Sequence, residues 1–315
     1  MTCPRLTATT VAALACWLGA ACGSTTGSAQ TASAQDVAQA DSADADAASG
    51  DTADVAGNPG TGAPAAATAL RTAQVVASSY SAAGSGQVSG AVFAQFFDQD
   101  PSPFQTIAET IGACIVTTST STTSTAFPQY ASAGTVTFTS SVKTVSLPPV
   151  ASGYDPFSTQ DTKLWTGGED LAFQAPGDVV GAFAVHLPAP DHVTVTQPPQ
   201  LMGTTPTIAR NVPLAWTWTG KSAGVLEVWI QGPQAKNQLV FVGATCRFPA
   251  ADGHGEIAAA VLQKFTSGDS VFLIANAVSD TTVTAGKYGT ILLRAESAAL
   301  AADGFSQYQN QVVLQ

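Results

Sequence analysis

Along most of the chain, apolar and hydroxyl-bearing residues alternate with a period of two. Val136 and Phe138 alternate with Thr135, Thr137 and Thr139, and Leu171 and Phe173 repeat the pattern further on. Successive side chains of a strand point to opposite faces, so this alternation marks strands with one face buried and the other in water. The run 179–187 (VVGAFAVHL) is followed by 192–196 (HVTVT), with Pro188, Pro190 and Asp191 marking the turn. Pro148-Pro149, Gly167-Gly168 and Pro176-Gly177 punctuate the rest, as hairpins of antiparallel sheets require. The Thr/Ser run 117–125 (TTSTSTTST) reads as a solvated strand edge and loop. Beyond 197–200 (QPPQ) strand runs restart as 213–220 (PLAWTWTG), 224–233 (GVLEVWIQGP), 238–248 (QLVFVGATCRF), 270–280 (SVFLIANAVSD) and 289–297 (GTILLRAES). One segment breaks the period. In 256–265 (EIAAAVLQKF), Ile257, Val261 and Phe265 recur every fourth residue and Gly268 follows, which predicts a short helix. The pattern predicts an all-β fold: two antiparallel β-sandwich domains in tandem, 70–197 and 198–315, with one short helix in the second.

The first 69 residues read differently. Arg5 gives a thin positive start, and 11–21 (VAALACWLGAA) is an apolar run far short of the ~20 residues that span a bilayer. That is the pattern of a signal peptide, residues 1–21. It ends in Leu18-Gly19-Ala20-Ala21-Cys22, which resembles the bacterial lipobox, where small residues precede a cysteine that is lipidated and becomes the new N-terminus. Gly19 stands where that family usually places Leu, and Cys16 is the alternative acceptor. Cleavage after 32–34 (ASA) would instead lie well beyond the apolar run. The resemblance implies a lipid anchor at Cys22, and Gly23 in place of the Asp of an inner-membrane retention signal implies the outer membrane. Residues 22–69 hold only Val37 and Val55 as large aliphatics, and their six acids (Asp36, Asp41, Asp44, Asp46, Asp51, Asp54) meet no basic residue. Such a segment cannot bury a core and repels itself, so a disordered acidic tether is expected.

Composition narrows the function classes. Charged residues make up 10% of the chain, against roughly 25% in typical soluble domains. The balance is acidic, 11 basic residues to 22 acidic, and the basic ones are strewn singly, which excludes the clustered cations of a nucleic-acid binder. Leu214 and Trp216 in an early strand, Leu226, Val228 and Ile230 in the next, and a late pair of strong strands resemble a fibronectin type III or immunoglobulin-like sandwich. Val271 or Phe272 stands where that family carries its corner tyrosine. The whole arrangement is similar in composition to the outer-membrane-type lipoproteins of uncharacterised function in predatory and social soil bacteria, a likeness that implies no activity.

Few residues suggest chemistry. Gly220-Lys221-Ser222 looks like the end of a phosphate-binding loop, but Ala215 occupies the position of its required first glycine. Asp98, Asp100, Ser102 and Glu109 have calcium-loop spacing, yet Pro103 replaces the turning glycine. His186, His192 and His254 lack metal-ligand spacing, and His192 shares the polar face of its strand with Thr194 and Thr196. Cys114 and Cys246 sit in apolar strand sequence in different predicted sandwiches, which favours buried unpaired thiols over the disulfide that export permits. The richest segment is 154–170 (YDPFSTQDTKLWTGGED), where Tyr154, Trp165, Glu169 and Asp170 would form an aromatic and acidic sugar-binding surface, unless Trp165 belongs to the core. The expectation is a lipid-anchored extracytoplasmic envelope protein acting as a non-catalytic binding or adhesion module. Its partners would be the membrane, through the lipid, and carbohydrate or another envelope protein, with no catalytic residue, metal or cofactor assigned. The alternative is an extracytoplasmic hydrolase acting on polysaccharide, which would need two carboxylates facing each other across a cleft.

Overall fold

A computed structural model describes residues 73–81, 88–99, 104–121, 129–159, 162–201, 203–234, 240–304 and 306–315. The expected signal peptide and tether, Cys22 included, lie outside the described residues, as do Asp100, Ser102 and Asp161. The largest sheet has twelve strands. Its main path runs β10 (Phe157–Thr159), β2 (Val88–Gln99), β1 (Ala73–Ser81), β20 (Thr290–Ala298), β19 (Ser270–Thr284), β16 (Val225–Gln234), β17 (Val240–Pro249), β4 (Cys114–Ser121), β3 (Phe104–Ile111). On its flanks β5 (Gln129–Tyr130) pairs with β2, and β14 (Thr207–Ile208) pairs with β21 (Gln309–Leu314), itself paired with β19. A four-stranded sheet is ordered β12 (Phe183–Pro188), β11 (Asp170–Ala175), β6 (Val136–Thr139), β7 (Thr144–Leu147), and a three-stranded sheet β13 (Thr194–Gln197), β15 (Leu214–Thr219), β18 (His254–Ile257). β8 (Pro149–Val150) and β9 (Gly153–Tyr154) form a short pair.

The fold is all-β, and alternation builds it as expected: buried and less buried residues alternate along β6, β11 and β15. Two cores result. In the first, Val75 and Ala77 of β1 and Ile291, Leu293 and Ala295 of β20 pack against Phe138, Leu171, Phe173 and Leu187 of the four-stranded sheet. In the second, Leu226, Val228, Cys246, Leu273 and Ala275 pack against Val195, Trp216 and Trp218 of the three-stranded sheet. Ser279 pairs with Ala295 and Ala277 with Ser297, so the odd-numbered residues that feed both cores lie on one face of the large sheet. Rings interlock edge to face within the cores, Phe96 with Tyr154 at 5.5 Å, Phe138 with Phe173 at 5.3 Å and Trp216 with Tyr308 at 5.4 Å.

Three sequence expectations change in detail. Two sandwich cores exist, but they share the large sheet, and residues 69–315 form one compact unit. Strands from both sides of residue 197 are hydrogen-bonded into that sheet, and Val193 and Val195, placed before the expected boundary, belong to the second core. The predicted helix over 256–265 shrinks to α1 (Ala259–Leu262), because Glu256 and Ile257 pair with β15 as the end of β18. Ile257, Val261 and Phe265 are nonetheless all buried in the second core. Cys114 and Cys246 are joined by a disulfide, against the expectation of free thiols. The β3–β4 hairpin crosses into the second sandwich, and β4 pairs with β17 so that the two cysteines stand directly opposite each other.

At the entry to β16 the backbone approach is very tight. Gly224 has φ +77°, and a Cβ there would lie 2.0 Å from the carbonyl oxygen of Val278. Left-handed backbone costs a non-glycine residue about 1–3 kcal/mol before any clash is counted. Gly224→Ala is therefore expected to lower the urea midpoint by at least that equivalent with little change in slope, and an unchanged midpoint would contradict this packing.

Candidate functional site

The segment 154–170 does not present its aromatics to solvent. Tyr154 is buried, with its hydroxyl accepting from the N–H of Ala133 and donating to the carbonyl of Gly134, both at 2.8 Å. Burial raises its pKa above the ordinary tyrosine range, although the Ala133 N–H bond opposes the shift. Trp165 is 4% exposed, packs on Phe138 at 6.1 Å and donates its Nε1–H to the carbonyl of Pro190 at 2.9 Å. A satisfied indole N–H lets the whole ring enter the core without leaving a bare donor, so the core reading of Trp165 holds.

The acids of the segment divide. Glu169 accepts from the backbone N–H of Thr166, and at 2.6 Å from that of Ser141, tying two turns together. Partial burial opposes its ionisation, but the bonds from Ser141 and Thr166 outweigh it and hold the carboxyl below the usual glutamate range. Asp170 is exposed and meets His186 Nδ1 at 2.5 Å on the neighbouring strand. Of the four candidates, then, two are core, one braces turns and one meets a histidine at the surface.

The other sequence candidates also have local partners. Glu109 pairs with Lys264 at 2.6 Å. His192 is half-buried rather than exposed, its Nδ1 2.7 Å from the carbonyl oxygen of Ala298, and His254 Nδ1 is 2.9 Å from that of Asp252. Sequence reasoning passed over Gly220-Lys221-Ser222-Ala223-Gly224, which has the G-x-S-x-G spacing of a nucleophile turn. Here it joins β15 to β16, strand to strand instead of strand to helix. Ser222 Oγ accepts from the N–H of Asp191 at 2.9 Å and donates to the carbonyl of Ala223, so both of these bonds are to backbone and neither is to an imidazole.

The densest chemistry lies on the large sheet's other face and was not singled out from sequence. Glu227 on β16, buried between apolar neighbours, accepts from Arg294 Nη2 and from Trp229 Nε1, each at 2.5 Å, and Arg247 Nε forms an ion pair with it at 3.4 Å. Arg294 also reaches Glu296 at 3.0 Å, and its guanidinium lies 5.7 Å from the Trp229 ring centroid. Glu296 accepts from Ser78 Oγ at 2.7 Å, and Arg247 grips both oxygens of Asp280 at 2.7 and 2.8 Å. Burial opposes the charge of Arg294, but Glu296 and Glu227 more than offset it and hold the guanidinium firmly protonated. Burial, and then the Glu296 charge, raise the Tyr80 pKa. Where β16 begins and β17 ends, Arg247 and Asp280 line an open cleft of about 490 Å³ with His186, Leu187, Gly224 and Thr281.

Each of the three carboxylates is already bonded to an arginine. The signal for it was in the sequence: Glu227, Arg247 and Arg294 stand inside strongly apolar strand runs, and a charge buried there must be paired. Among the described residues no three His, Cys, Asp or Glu side chains gather as a metal site. No known protein family matches the chain, and no curated protein is significantly similar to it.

Two measurements check these placements. Trp165→Ala is expected to cost about 3–5 kcal/mol, read as a large fall in melting temperature, whereas a change within ~0.5 kcal/mol would place the ring at the surface. Glu169 is easier to ionise folded than unfolded, so its stabilisation is present above about pH 4.3, the unfolded value, and is lost as pH falls through the lower folded one. Glu169→Gln should flatten the stability–pH curve below about pH 4.3, and an unchanged curve would rule out this bracing.

Proposed function

We propose that the protein is an exported, lipid-anchored envelope protein whose folded body is a non-catalytic binding or adhesion module. The Cys114–Cys246 disulfide carries this reading. Structural disulfides form and persist in oxidising compartments and are rare in the cytosol, so the bond points the same way as the targeting pattern ending in Cys22 while being independent of it. The order β13-β15-β18 packed over β17-β16-β19 further supports an immunoglobulin-like second sandwich, an architecture that offers loops and edges for recognition. Outer-membrane placement rests on the lipobox resemblance together with Gly23.

The binding surface moves from the 154–170 segment to the cleft beside Arg247, Asp280 and His186, with carbohydrate or another envelope protein as its ligand class. The polysaccharide-hydrolase alternative gains nothing from the segment, since Glu169 braces turns and Asp170 is paired with His186.

Intact-mass analysis of the membrane fraction tests the proposal. An acylated N-terminal Cys22 with Cys114 and Cys246 oxidised is expected, and a reduced, unprocessed chain in the soluble fraction would overturn it. Retention of the purified chain on isolated envelope glycans, without release of new sugar ends, would separate a binding module from a hydrolase.

A further inference from the structure

The large sheet ends at β3, which among the described residues pairs only with β4. Thr106, Ile107, Ala108, Glu109 and Thr110 are all exposed, Ile107 at 74%. Five exposed residues in a row mean that neither face of the strand is covered, while its outer edge carries unpaired N–H and C=O groups. Solitary edges are normally blunted by Lys, Pro, a bulge or a very short strand. β3 is eight residues long (FQTIAETI), and its register with β4 is unbroken from Phe104↔Ser121 to Ile111↔Cys114. It has none of those defences. Its one charge, Glu109, is matched by Lys264, and the Cys114–Cys246 disulfide pins the base of the hairpin, so the edge is electrically neutral and rigidly presented.

We propose that β3 is a self-association edge: a second copy of this chain adds its own β3 antiparallel, joining the two large sheets. The two-fold axis of such a pair is normal to the sheet, so residues facing each other share the same parity. Centred on Ile107, it sets Ile107 against its own copy and Glu109 against Gln105, whereas a pair centred on Glu109 would oppose two carboxylates. The hairpin fixes the same register. In a two-residue connection such as Gly112-Ala113 the flanking pair Ile111–Cys114 exchanges backbone bonds, so Thr106, Ala108 and Thr110 turn their N–H and C=O groups outward. Thr106 and Ala108 of one copy then bond Ala108 and Thr106 of the other. The two Ile107 side chains meet at the close, non-hydrogen-bonded position, and the closed dimer leaves no β3 edge open.

Sedimentation equilibrium of the full chain at micromolar concentration is expected to give twice the chain mass. Ile107→Lys and Ala108→Pro should each give the single-chain mass with an unchanged circular dichroism spectrum, since Ala108→Pro deletes an N–H that β4 does not use. Ile107→Val should remain dimeric. Ile107→Cys, oxidised and mapped by peptide mass, should yield a 107-to-107 cross-link, which keeps the test open if a monomerising variant misfolds. A wild-type chain at single mass, a dimer that survives both variants, open-ended aggregates or absence of the cross-link would each overturn the proposal.

Discussion

Six consecutive residue pairs between β1 and β20, from Gln74↔Leu292 to Ser79↔Ser297, hold the two halves of the molecule together. The pairing is parallel, so no tight hairpin can supply it and nearly the whole folded chain is the connection. β1 brings β2 and β10 with it, and β20 brings β19 and everything beyond. One side of the seam feeds the first core through Val75, Ala77, Ile291 and Leu293, while the same face continues across β19 into the second. Neither sandwich can lose the seam without baring an edge and half of a buried face. For this reason the two cores are one structural unit even though their side chains form separate clusters.

On the opposite face the seam is stitched by charge. Ser78 on β1 bonds Glu296 on β20, which bonds Arg294, which bonds Glu227 on β16. Taking such groups out of water is costly, and an ion pair repays the cost only when its geometry is good and the remaining lone pairs are satisfied. The condition is met here: Glu227 and Glu296 have no lone oxygen, and the Trp229 ring shields the Arg294 guanidinium. In a chain so poor in charge, placing two arginines and three acids in one network argues for their role in fixing strand register, since alternation alone does not tell a register from one slipped by two residues.

Much of this architecture was legible in the period-two pattern. Val136 and Phe138, Leu171 and Phe173, and Trp216 and Trp218 all face cores as alternation requires. What alternation cannot say is which strand lies beside which, because that depends on contacts between residues far apart in sequence. The same gap explains two misreadings. Cys114 and Cys246 looked unrelated because β4 crosses into the other sandwich. The helix over 256–265 was drawn too long because Ile257, Val261 and Phe265 satisfy helical spacing, whereas Ile257 reaches the same core from a strand. The charge network was hidden for a related reason: its members come from separate strands and show only as isolated charges in apolar runs.

The parallel seam also sets a schedule for folding. Ser78 and its partner Glu296 are 218 residues apart, so a chain that emerges N-terminus first must keep β1 and β2 waiting until nearly its last strand appears. Contacts of such long sequence separation are slow to form, and the edges they will cover stay open meanwhile to the wrong partners. The hairpin of β1 and β2 thus has an interval in which it is sticky and incomplete, and that interval closes only when β20 arrives and pairs with β1.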